Sequence, residues 1–262
     1  MGCRLRMVGT AWNRLESEVA RWRDLERPVE FWLRDDDAVR PTAALERLVV
    51  LAGNAGVVPA LAIIPAQAEA ALFATLASSV DVLQHGTDHS NRSAAGDKKT
   101  EYPQHEASEA ALQRLSDGRR SLERLGAGRM LSVLAPPWNR IPDQLVAELS
   151  ACGFYGLSRY GARRRMQPAP GVTEINTHVD IIDWKGSRGF VGLEQALLLA
   201  VRHLVARREG SADATEPTGW LTHHLCHDEP AWSFLAELFE RFGPRQGVIW
   251  KSARELFGPK SP

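Results

Sequence analysis

Three consecutive carboxylates and two later histidines are the residues of this chain best suited to chemistry. Asp35, Asp36 and Asp37 come at the end of an apolar, β-like run. Adjacent carboxylates repel one another unless a positive group lies beside them. His85 and His89 follow a second apolar run. Because carboxylate and neutral imidazole are good ligands of Zn²⁺ and related divalent ions, these two stretches predict the walls of a metal site.

Each stretch also has a purely structural explanation. The acidic run could be a solvated turn or a helix cap, and each histidine could be a loop residue that makes one hydrogen bond. Three consecutive aspartates exceed what a cap needs, however, and a spacing of four places two histidines on one side of a helical turn. In the metal interpretation, one aspartate binds the ion. A neighbouring aspartate stays free to take a proton from water, whose pKa a divalent ion lowers to about 7.

Two later stretches carry further polar residues. Residues 180–184 have the sequence Asp-Ile-Ile-Asp-Trp, which is also compatible with a strand end followed by a core tryptophan. Residues 222–228 have the sequence Thr-His-His-Leu-Cys-His-Asp. A histidine held by a carboxylate has a fixed tautomer and a stabilised charged form, so this second stretch predicts a general acid.

The elements that position these residues follow from the apolar pattern. Strands are predicted at 29–34, 57–64, 80–83, 130–134, 154–158, 172–179, 219–223 and 248–250. Helices are predicted at 8–26, 43–53, 66–78, 105–125, 142–151, 192–207 and 230–242. This alternation predicts a parallel sheet covered by helices. Since no Gly-rich phosphate loop follows the first strand, a closed or nearly closed barrel is favoured over a Rossmann sheet, with the active site beyond the strand ends.

Composition narrows the class of protein further. The chain has 262 residues, 44% of them hydrophobic, and its 32 basic and 32 acidic side chains cancel. We therefore expect neither a nucleic-acid partner nor an anionic membrane surface. Three cysteines far apart, at 3, 152 and 226, indicate a reducing compartment rather than a disulfide framework. With no signal-like or membrane-spanning run, the expected location is cytoplasmic, and the oligomeric state stays open.

The order of these motifs resembles the polysaccharide deacetylases of the NodB-homology type, carbohydrate esterase family 4, over residues 29–228. The resemblance implies an α/β fold, a distorted (β/α) barrel of about seven parallel strands. Residues 1–28 would form a helix packing on the barrel, and residues 29–262 the catalytic barrel. It also implies a divalent metal, with Zn²⁺ expected and Co, Ni or Mn as alternatives, and an N-acetylated carbohydrate or small amide as substrate.

The resemblance assigns roles to the polar residues near the metal. Asp36 would be the general base, and Asp37, His85 and His89 would be the metal ligands. Because the register is uncertain by one residue, Asp35 stays a second candidate for the base and is otherwise a supporting neighbour.

The remaining roles come from the later motifs. The general acid would be His223 or His224. The residues of the motif that supports this acid would be Asp180, Asp183 and Trp184, with Asp183 counted among the catalytic groups. Further support would come from His227 and Asp228. The substrate groove would be shaped by Pro137, Trp138, Arg140 and Trp184.

Three positions depart from the family pattern. Residues 38–39 are Ala-Val where the family has Gly-Pro, and Gly86 stands where it has Ser or Thr. Ala135 occupies the position of an arginine that tethers the base. Arg34 and Arg140 are both candidates to replace that arginine.

Two classes of function remain. The first is a metal-dependent hydrolase that deacetylates an N-acetylated sugar or hydrolyses a non-sugar amide. The second is a barrel that has lost catalysis and binds only a carbohydrate or a metal, which the changed arginine position favours. The loop around residues 96–99 either covers the site and favours a small ligand or is a solvated surface loop.

Overall fold

Strands and helices alternate along the chain in this computed structural model. It describes residues 2–126, 128–244 and 248–258, and for residues 2–10 the backbone alone. The strands are β1 Glu30–Ala38, β2 Pro59–Ile63, β3 Asp81–His85, β4 Met130–Ala135, β5 Gly156–Leu157, β6 Thr173–Glu174, β7 Val179–Asp180, β8 Thr218–Thr222 and β9 Ile249–Trp250. The helices are α1 Gly2–Asp24, α2 Ala43–Asn54, α3 Ala70–Thr75, α4 Ser108–Gly126, α5 Asp143–Glu148, α6 Leu193–Glu209, α7 Glu229–Phe242 and α8 Ala253–Phe257.

All strand pairs are parallel, and their order is β6-β5-β4-β3-β2-β1-β8-β7, with β9 beside the start of β1. One extended segment, residues 173–181, joins the two ends of this order. Its first half hydrogen-bonds to β5 and the residues after it, and its second half hydrogen-bonds to β8. The sheet therefore curls into a distorted barrel with seven strand positions, namely β1 to β5, this segment and β8. The predicted fold class is confirmed.

The barrel core explains the continuous apolar runs of the sequence. Every residue of β2, β3 and β8 is buried, because one face of each strand fills the barrel and the other packs under helices. The largest apolar cluster lies where α1 and α7 cover the sheet. It includes Trp12, Trp22 and Trp232, and α1 also packs against α6. The division of the chain at residue 28 stays a prediction.

A predicted helix and a predicted strand are each divided in the structure. The helix predicted at 66–78 is instead a 3-10 turn at Pro65–Gln67 followed by the short α3. It breaks because the backbone N–H of Glu69 donates to Val39 O, at 2.9 Å, rather than to a helical carbonyl. The strand predicted at 172–179 is divided into β6 and β7, because it changes partner from β5 to β8 along its length.

Cys152 and Cys226 are free thiols, as expected, whereas the side chain of Cys3 lies outside the described residues. In the part of the chain that the structure describes, no helix combines the length and the apolarity needed to cross a membrane.

Candidate metal and catalytic site

A bulge in β1 presents the acidic residues at the carboxyl end of the barrel. The strand does not end at residue 34 as predicted but continues to Ala38. Asp35 pairs with Leu61 and Ala38 with Ile63, so β1 contains one extra residue between these pairs. Asp37 has a φ of 70°, a rare conformation for a residue other than glycine. The bulge interrupts the alternation of faces, and the residues around it no longer have to point to opposite sides.

Asp37, His85 and His89 form a group with the geometry of metal ligands. Asp37 Oδ1 lies 3.2 Å from His85 Nε2 and 3.3 Å from His89 Nε2. It is buried and has no hydrogen-bond partner among the described residues. His85 Nδ1 lies 2.9 Å from Ala135 O and donates to it, which leaves the Nε2 lone pair of the neutral ring free. One carboxylate and two imidazoles suit a divalent transition ion and leave coordination positions open.

The charged and buried side chains of this group shift one another's pKa values. Burial alone would raise the pKa of Asp37, but the neighbouring His85 ring holds it well below its usual value. Burial would lower the pKa of His85, yet the carboxylates of Asp36 and Asp37 raise it. Burial and the neighbouring His85 lower the pKa of His89. A concentration of negative charge therefore surrounds His85, and a bound cation would balance it.

The two histidines meet without a helix between them. His85 is the last residue of β3, and His89 lies in an irregular loop, so their alignment does not depend on the helical turn in which a spacing of four places two rings on one side. The chain turns at Gly86, whose φ is 58°, and again at His89, whose φ is 59°. Two left-handed residues thus bring the rings to one side, with their centroids 5.1 Å apart.

Glu101 explains why glycine occupies position 86. Its Oε1 accepts hydrogen bonds from the backbone N–H of Thr87, at 2.9 Å, and of Asp88, at 3.2 Å. A Cβ at Gly86 would overlap Glu101 Oε2 and approach Pro137 Cδ to 2.5 Å. The buried carboxyl group of Glu101, which belongs to the loop between β3 and α4, therefore fills the space beside residues 85–89, the segment that carries the two candidate histidine ligands. Sequence reasoning missed Glu101, and no local motif marks it.

Arg34 holds Asp36 with two parallel hydrogen bonds. Arg34 Nε donates to Asp36 Oδ1 at 2.8 Å, and Arg34 Nη2 donates to Asp36 Oδ2 at 2.9 Å. Both side chains are buried. Arg34 also donates to Ser158 Oγ and Asn139 Oδ1, each at 2.7 Å, so its guanidinium is fixed on several sides. Of the two arginines that sequence reasoning left open, Arg34 is the one that contacts the carboxylate; Ser158 and Asn139 were missed.

Asp35 makes a different set of contacts, which occupy both of its oxygens. Oδ1 lies 2.5 Å from His224 Nδ1, and Oδ2 accepts from His224 N, at 2.9 Å, and Thr222 Oγ1, at 2.7 Å. Burial would raise the pKa of Asp35, but His224 lowers it, and Asp35 in turn raises the pKa of His224. Asp35 therefore ties β1 to the end of β8, and it does not offer a free carboxylate to a substrate.

His223 lies near Asp37, one of the candidate metal ligands, whereas His224 is bound to Asp35. The edge of the His223 ring packs against Trp184, with centroids 4.6 Å apart. Burial raises the pKa of Asp180, and the nearby His223 ring opposes that rise; the same ring adds to the lowering of the pKa of Asp37, so it lies close to both carboxylates. His223 Nδ1 is buried and unpaired within the described chain. Asp180 Oδ2 accepts a hydrogen bond from Trp184 Nε1 at 2.8 Å, which fixes the tryptophan beside His223.

Three residues predicted to catalyse or support catalysis make contacts near their own positions in the chain. The carboxylate of Asp183 accepts from the backbone N–H groups of residues 185–187, so it closes its own loop, and among the described residues it hydrogen-bonds to neither His223 nor His224. Asp228 caps α7 through Ala231 N, at 2.9 Å. His227 packs edge-on against Trp232, and burial lowers its pKa to about 4. The catalytic and supporting roles predicted for these three residues stay predictions.

Of the four residues predicted to shape the substrate groove, Pro137, Trp138 and Trp184 lie beside the site, whereas Arg140 contacts the loop around residues 96–99. Trp138, in the 3-10 turn after β4, lies 4.5 Å from the His89 ring, and Pro137 is buried beneath the same loop. Trp184 is 40% exposed beside His223. Arg140 is exposed and donates to Lys99 O at 2.7 Å, so it secures the loop around residues 96–99, whose side chains are exposed. The two tryptophans thus form two aromatic walls of the site.

A second group of potential ligands lies at the opposite end of the barrel. His178, His203 and Glu216 are buried, with their ligand atoms within 4.8 Å of one another. The two rings stack at 3.4 Å and 13°, so their in-plane lone pairs lie in two separate, nearly parallel planes and do not meet at one point. Gly219 N donates to His178 Nδ1 at 3.0 Å, which puts the proton of the neutral ring on Nε2. This geometry does not fit a metal site, and sequence reasoning did not detect the group.

Known proteins resemble this chain in structure and not detectably in sequence. No family model matches the chain, and no curated protein matches it by sequence. A peptidoglycan deacetylase, PdaC, from Bacillus subtilis is 14% identical, with 87% of this chain and 90% of that chain covered and a TM-score of 0.54. A xylanase domain of carbohydrate esterase family 4, from the hindgut metagenome of Trinervitermes trinervoides, is 11% identical, with 88% and 90% covered and a TM-score of 0.54.

A third solved structure is a mutant of a pseudoenzyme of the same family, with restored enzymatic activity. It is 15% identical, with 88% of this chain and 68% of that chain covered and a TM-score of 0.58. These similarities extend over most of the barrel at low sequence identity. The chain therefore has the fold of the deacetylases of carbohydrate esterase family 4.

Proposed function

We propose that this protein is a metal-dependent hydrolase that removes an acetyl group from an N-acetylated sugar or a related amide. The observation that carries the proposal is the position of Asp36. Arg34 holds its carboxylate by two hydrogen bonds, and its charge acts on His85, one of the three candidate ligands. A structural metal site needs no arginine-bound carboxylate beside it, whereas a hydrolase needs a fixed base.

Asp37, His85 and His89 would hold the ion. Zn²⁺ suits this set of one carboxylate and two imidazoles, and Co, Ni and Mn are alternatives with related preferences. A divalent ion bound there supplies Lewis acidity toward a carbonyl oxygen and lowers the pKa of water to about 7.

Asp36 is the proposed general base. Each of its oxygens accepts one hydrogen bond from Arg34 and keeps a second lone pair. One of these lone pairs takes the proton of the attacking water. Arg34 meanwhile fixes the direction of the carboxylate, and general-base catalysis of this kind contributes about 10²–10⁴-fold to a rate.

His223 is the proposed general acid, which donates a proton to the departing nitrogen. Its ring lies against Trp184 and close to Asp37 and Asp180. His224 is the other candidate, since a carboxylate holds its Nδ1, but this contact fixes its ring against Asp35 of β1, whereas the ring of His223 lies beside Trp184. His224 and Asp35 instead position the end of β8, and with it the backbone of His223.

The alternative is a barrel that only binds its ligand. Pseudoenzymes exist among proteins of this fold, and Ala135 lacks the side chain that would tether a base. Arg34 makes that contact from another position, which favours catalysis over binding alone. Hydrolysis of a non-sugar amide uses the same residues, so it is a variant in substrate and not in mechanism.

Acetate release tests the proposal directly. Purified protein is loaded with one equivalent of Zn²⁺ and incubated with N-acetylglucosamine, its oligomers and small acetamides. We expect acetate from at least one substrate, loss of activity with a chelator and recovery when Zn²⁺ returns. Stoichiometric Zn²⁺ binding with no acetate from any of these compounds, while one of them binds, would support the binding-only alternative.

A further inference from the structure

A polar cavity of about 460 Å³ opens beside the candidate site. This volume lies in the range of small-molecule sites. Much of its wall is the segment 159–168, here called the basic loop, and four arginines line the cavity: Arg159, Arg163, Arg164 and Arg165. Arg163 is buried, so the basic loop is partly folded into the protein.

Two lining residues connect the cavity to the proposed catalytic groups. Asn139 lines the cavity, and its Oδ1 accepts from Arg34 Nη2 at 2.7 Å, the same nitrogen that binds Asp36. Tyr160 lines it too, and burial together with the charge of Asp180 raises the pKa of its phenol. A substrate with its amide at Asp36 therefore has room to extend into this cavity.

Two of the four arginines are neutralised by internal partners. Arg159 binds Glu174 through two hydrogen bonds, of 2.8 and 3.0 Å. The guanidinium of Arg163 donates to Asp213, to the carbonyl of Glu174 and to Thr215. These two arginines therefore shape the cavity, and their charges are largely balanced.

Arg164 and Arg165 are exposed, and within the described residues neither makes an ion pair or a side-chain hydrogen bond. Two acidic residues line the cavity, Glu174, which binds Arg159, and Asp143. The side chain of Asp143 is 92% exposed and lies 3.9 Å from Arg159. Arg164 and Arg165 thus leave an excess of positive charge in a protein whose net charge is zero.

The backbone around these two arginines is fixed on both sides. Arg163 N donates to Glu216 Oε2 at 2.9 Å, and Met166 O accepts from Glu174 N at 2.8 Å. Little conformational entropy is lost on binding when the binding groups extend from a fixed backbone. The charge excess is therefore held at the cavity rather than spread over a mobile loop.

We infer that this cavity binds an anionic substituent, a phosphate or a carboxylate, on the N-acetylated substrate. Arg164 and Arg165 supply the binding groups, because guanidinium presents paired N–H donors that match the oxygens of both anions. This inference rests on the proposed function for the rest of the substrate and makes no use of a covalent step.

Calorimetry on the zinc-loaded full chain tests the inference, with Asp36→Asn in every protein so that turnover does not disturb the binding heat. The ligands are N-acetylglucosamine, N-acetylglucosamine 6-phosphate and N-acetylmuramic acid. We expect at least one anionic ligand to bind ten times more tightly than the neutral sugar or better. Arg164→Gln/Arg165→Gln should remove this gain and leave the affinity for the neutral sugar unchanged. The stronger of the two anionic ligands identifies phosphate or carboxylate.

Arg14→Gln/Arg23→Gln is the matched control, because it removes two exposed arginines from α1 and changes the net charge equally. It should keep the gain. Equal affinity for neutral and anionic ligands, or an equal loss in the control, overturns the inference. The outcome is separate from that of the proposed function: arginine-dependent anion binding without acetate release by the wild type keeps the anion site, and acetate release without anion preference keeps only the chemistry.

Discussion

Arg34 and Asp36 lie two positions apart on β1 and face each other through two hydrogen bonds of 2.8 and 2.9 Å. Both hydrogen bonds join residues of the same strand, so this pair is local in sequence and needs no second element to form. Ser158 and Asn139 then fix the arginine from two neighbouring loops. The carboxylate beside the metal group is thus oriented from its own strand.

Arg34→Lys should reduce kcat about 100-fold, because an ammonium group cannot make both parallel contacts and Asp36 would turn away from its working direction. Zinc content should stay at one equivalent. The measurement is steady-state acetate release together with metal analysis. Arg47→Lys is the control, since Arg47 makes a similar two-point contact with Glu229 on the surface, at 2.6 and 3.0 Å. An equal loss of kcat in both variants contradicts this account of Arg34.

Gly86→Ala should weaken zinc binding at least tenfold, because the added Cβ would displace the Glu101 carboxyl and Pro137 that define the ligand loop. Competition with a chelating dye measures the affinity. Gly96→Ala is the matched control. Gly96 has a φ of 87° in the same loop with no atom near its Cβ position, so it shows only the backbone cost, about 1 kcal/mol. If the two variants bind zinc equally well, Glu101 does not position the ligands.

Asp35→Asn should lower the free energy of unfolding by about 1–3 kcal/mol. The variant has an NH₂ group in place of one carboxylate oxygen. In one orientation this NH₂ faces the backbone N–H of His224 and the hydroxyl of Thr222, and in the other it faces Nδ1 of the His224 ring. In either orientation a buried donor that Asp35 now accepts from loses its acceptor. Urea denaturation of the two proteins measures the difference. Asp97→Asn, at an exposed loop position, should change the value by less than about 0.5 kcal/mol. An Asp35→Asn protein as stable as the wild type would show that β8 does not depend on this contact.

Glu216 should make stability fall as pH rises. Burial raises its pKa from 4.5 to about 7, so the folded protein holds a proton that the unfolded chain releases between these values. Its contribution is therefore complete below pH 4.5 and lost above pH 7. His178, whose pKa burial lowers to about 3, acts in the opposite direction as pH falls below 6.5, and burial lowers the pKa of His203 as well. Arg163 and Arg207 also lie nearby.

Glu216→Gln isolates this effect, because the other groups are common to both proteins. The unfolding free energy of the wild type minus that of Glu216→Gln should decrease by roughly 3 kcal/mol from pH 4.5 to pH 7.5. Urea titrations across this range measure it. Glu148→Gln, at an exposed site on α5, should show no such trend. A difference that stays constant with pH would mean that Glu216 is already ionised in the folded protein.

Much of the fold was accessible from sequence because its signals are local. Continuous apolar runs marked β2, β3 and β8, and their alternation with helices predicted the parallel barrel that the structure contains. The shape of residues 173–181 was not accessible. Its division into β6 and β7 depends on a change of partner from β5 to β8, which no local pattern records.

Some residues of the candidate site could also be predicted from the sequence, and others could not. Residue type and spacing brought Asp37, His85 and His89 together, although the two rings meet across a loop and not on a helical turn. The tripled aspartates and duplicated histidines could not be separated, because their contacts cross between β1 and β8. Glu101, Asn139 and Ser158 act through tertiary contacts over 14 to 124 positions of sequence separation, so no motif identified them.

The central claim is that Asp36 is a base beside a metal bound by other residues. Asp36→Asn, loaded with Zn²⁺ and compared with wild type and Asp97→Asn, tests it through kcat for acetate release and zinc content in the same samples. We predict one equivalent of zinc in all three proteins and a kcat lowered about 10²–10⁴-fold in Asp36→Asn alone. Unchanged turnover in Asp36→Asn, or turnover lost together with the zinc, would contradict the account.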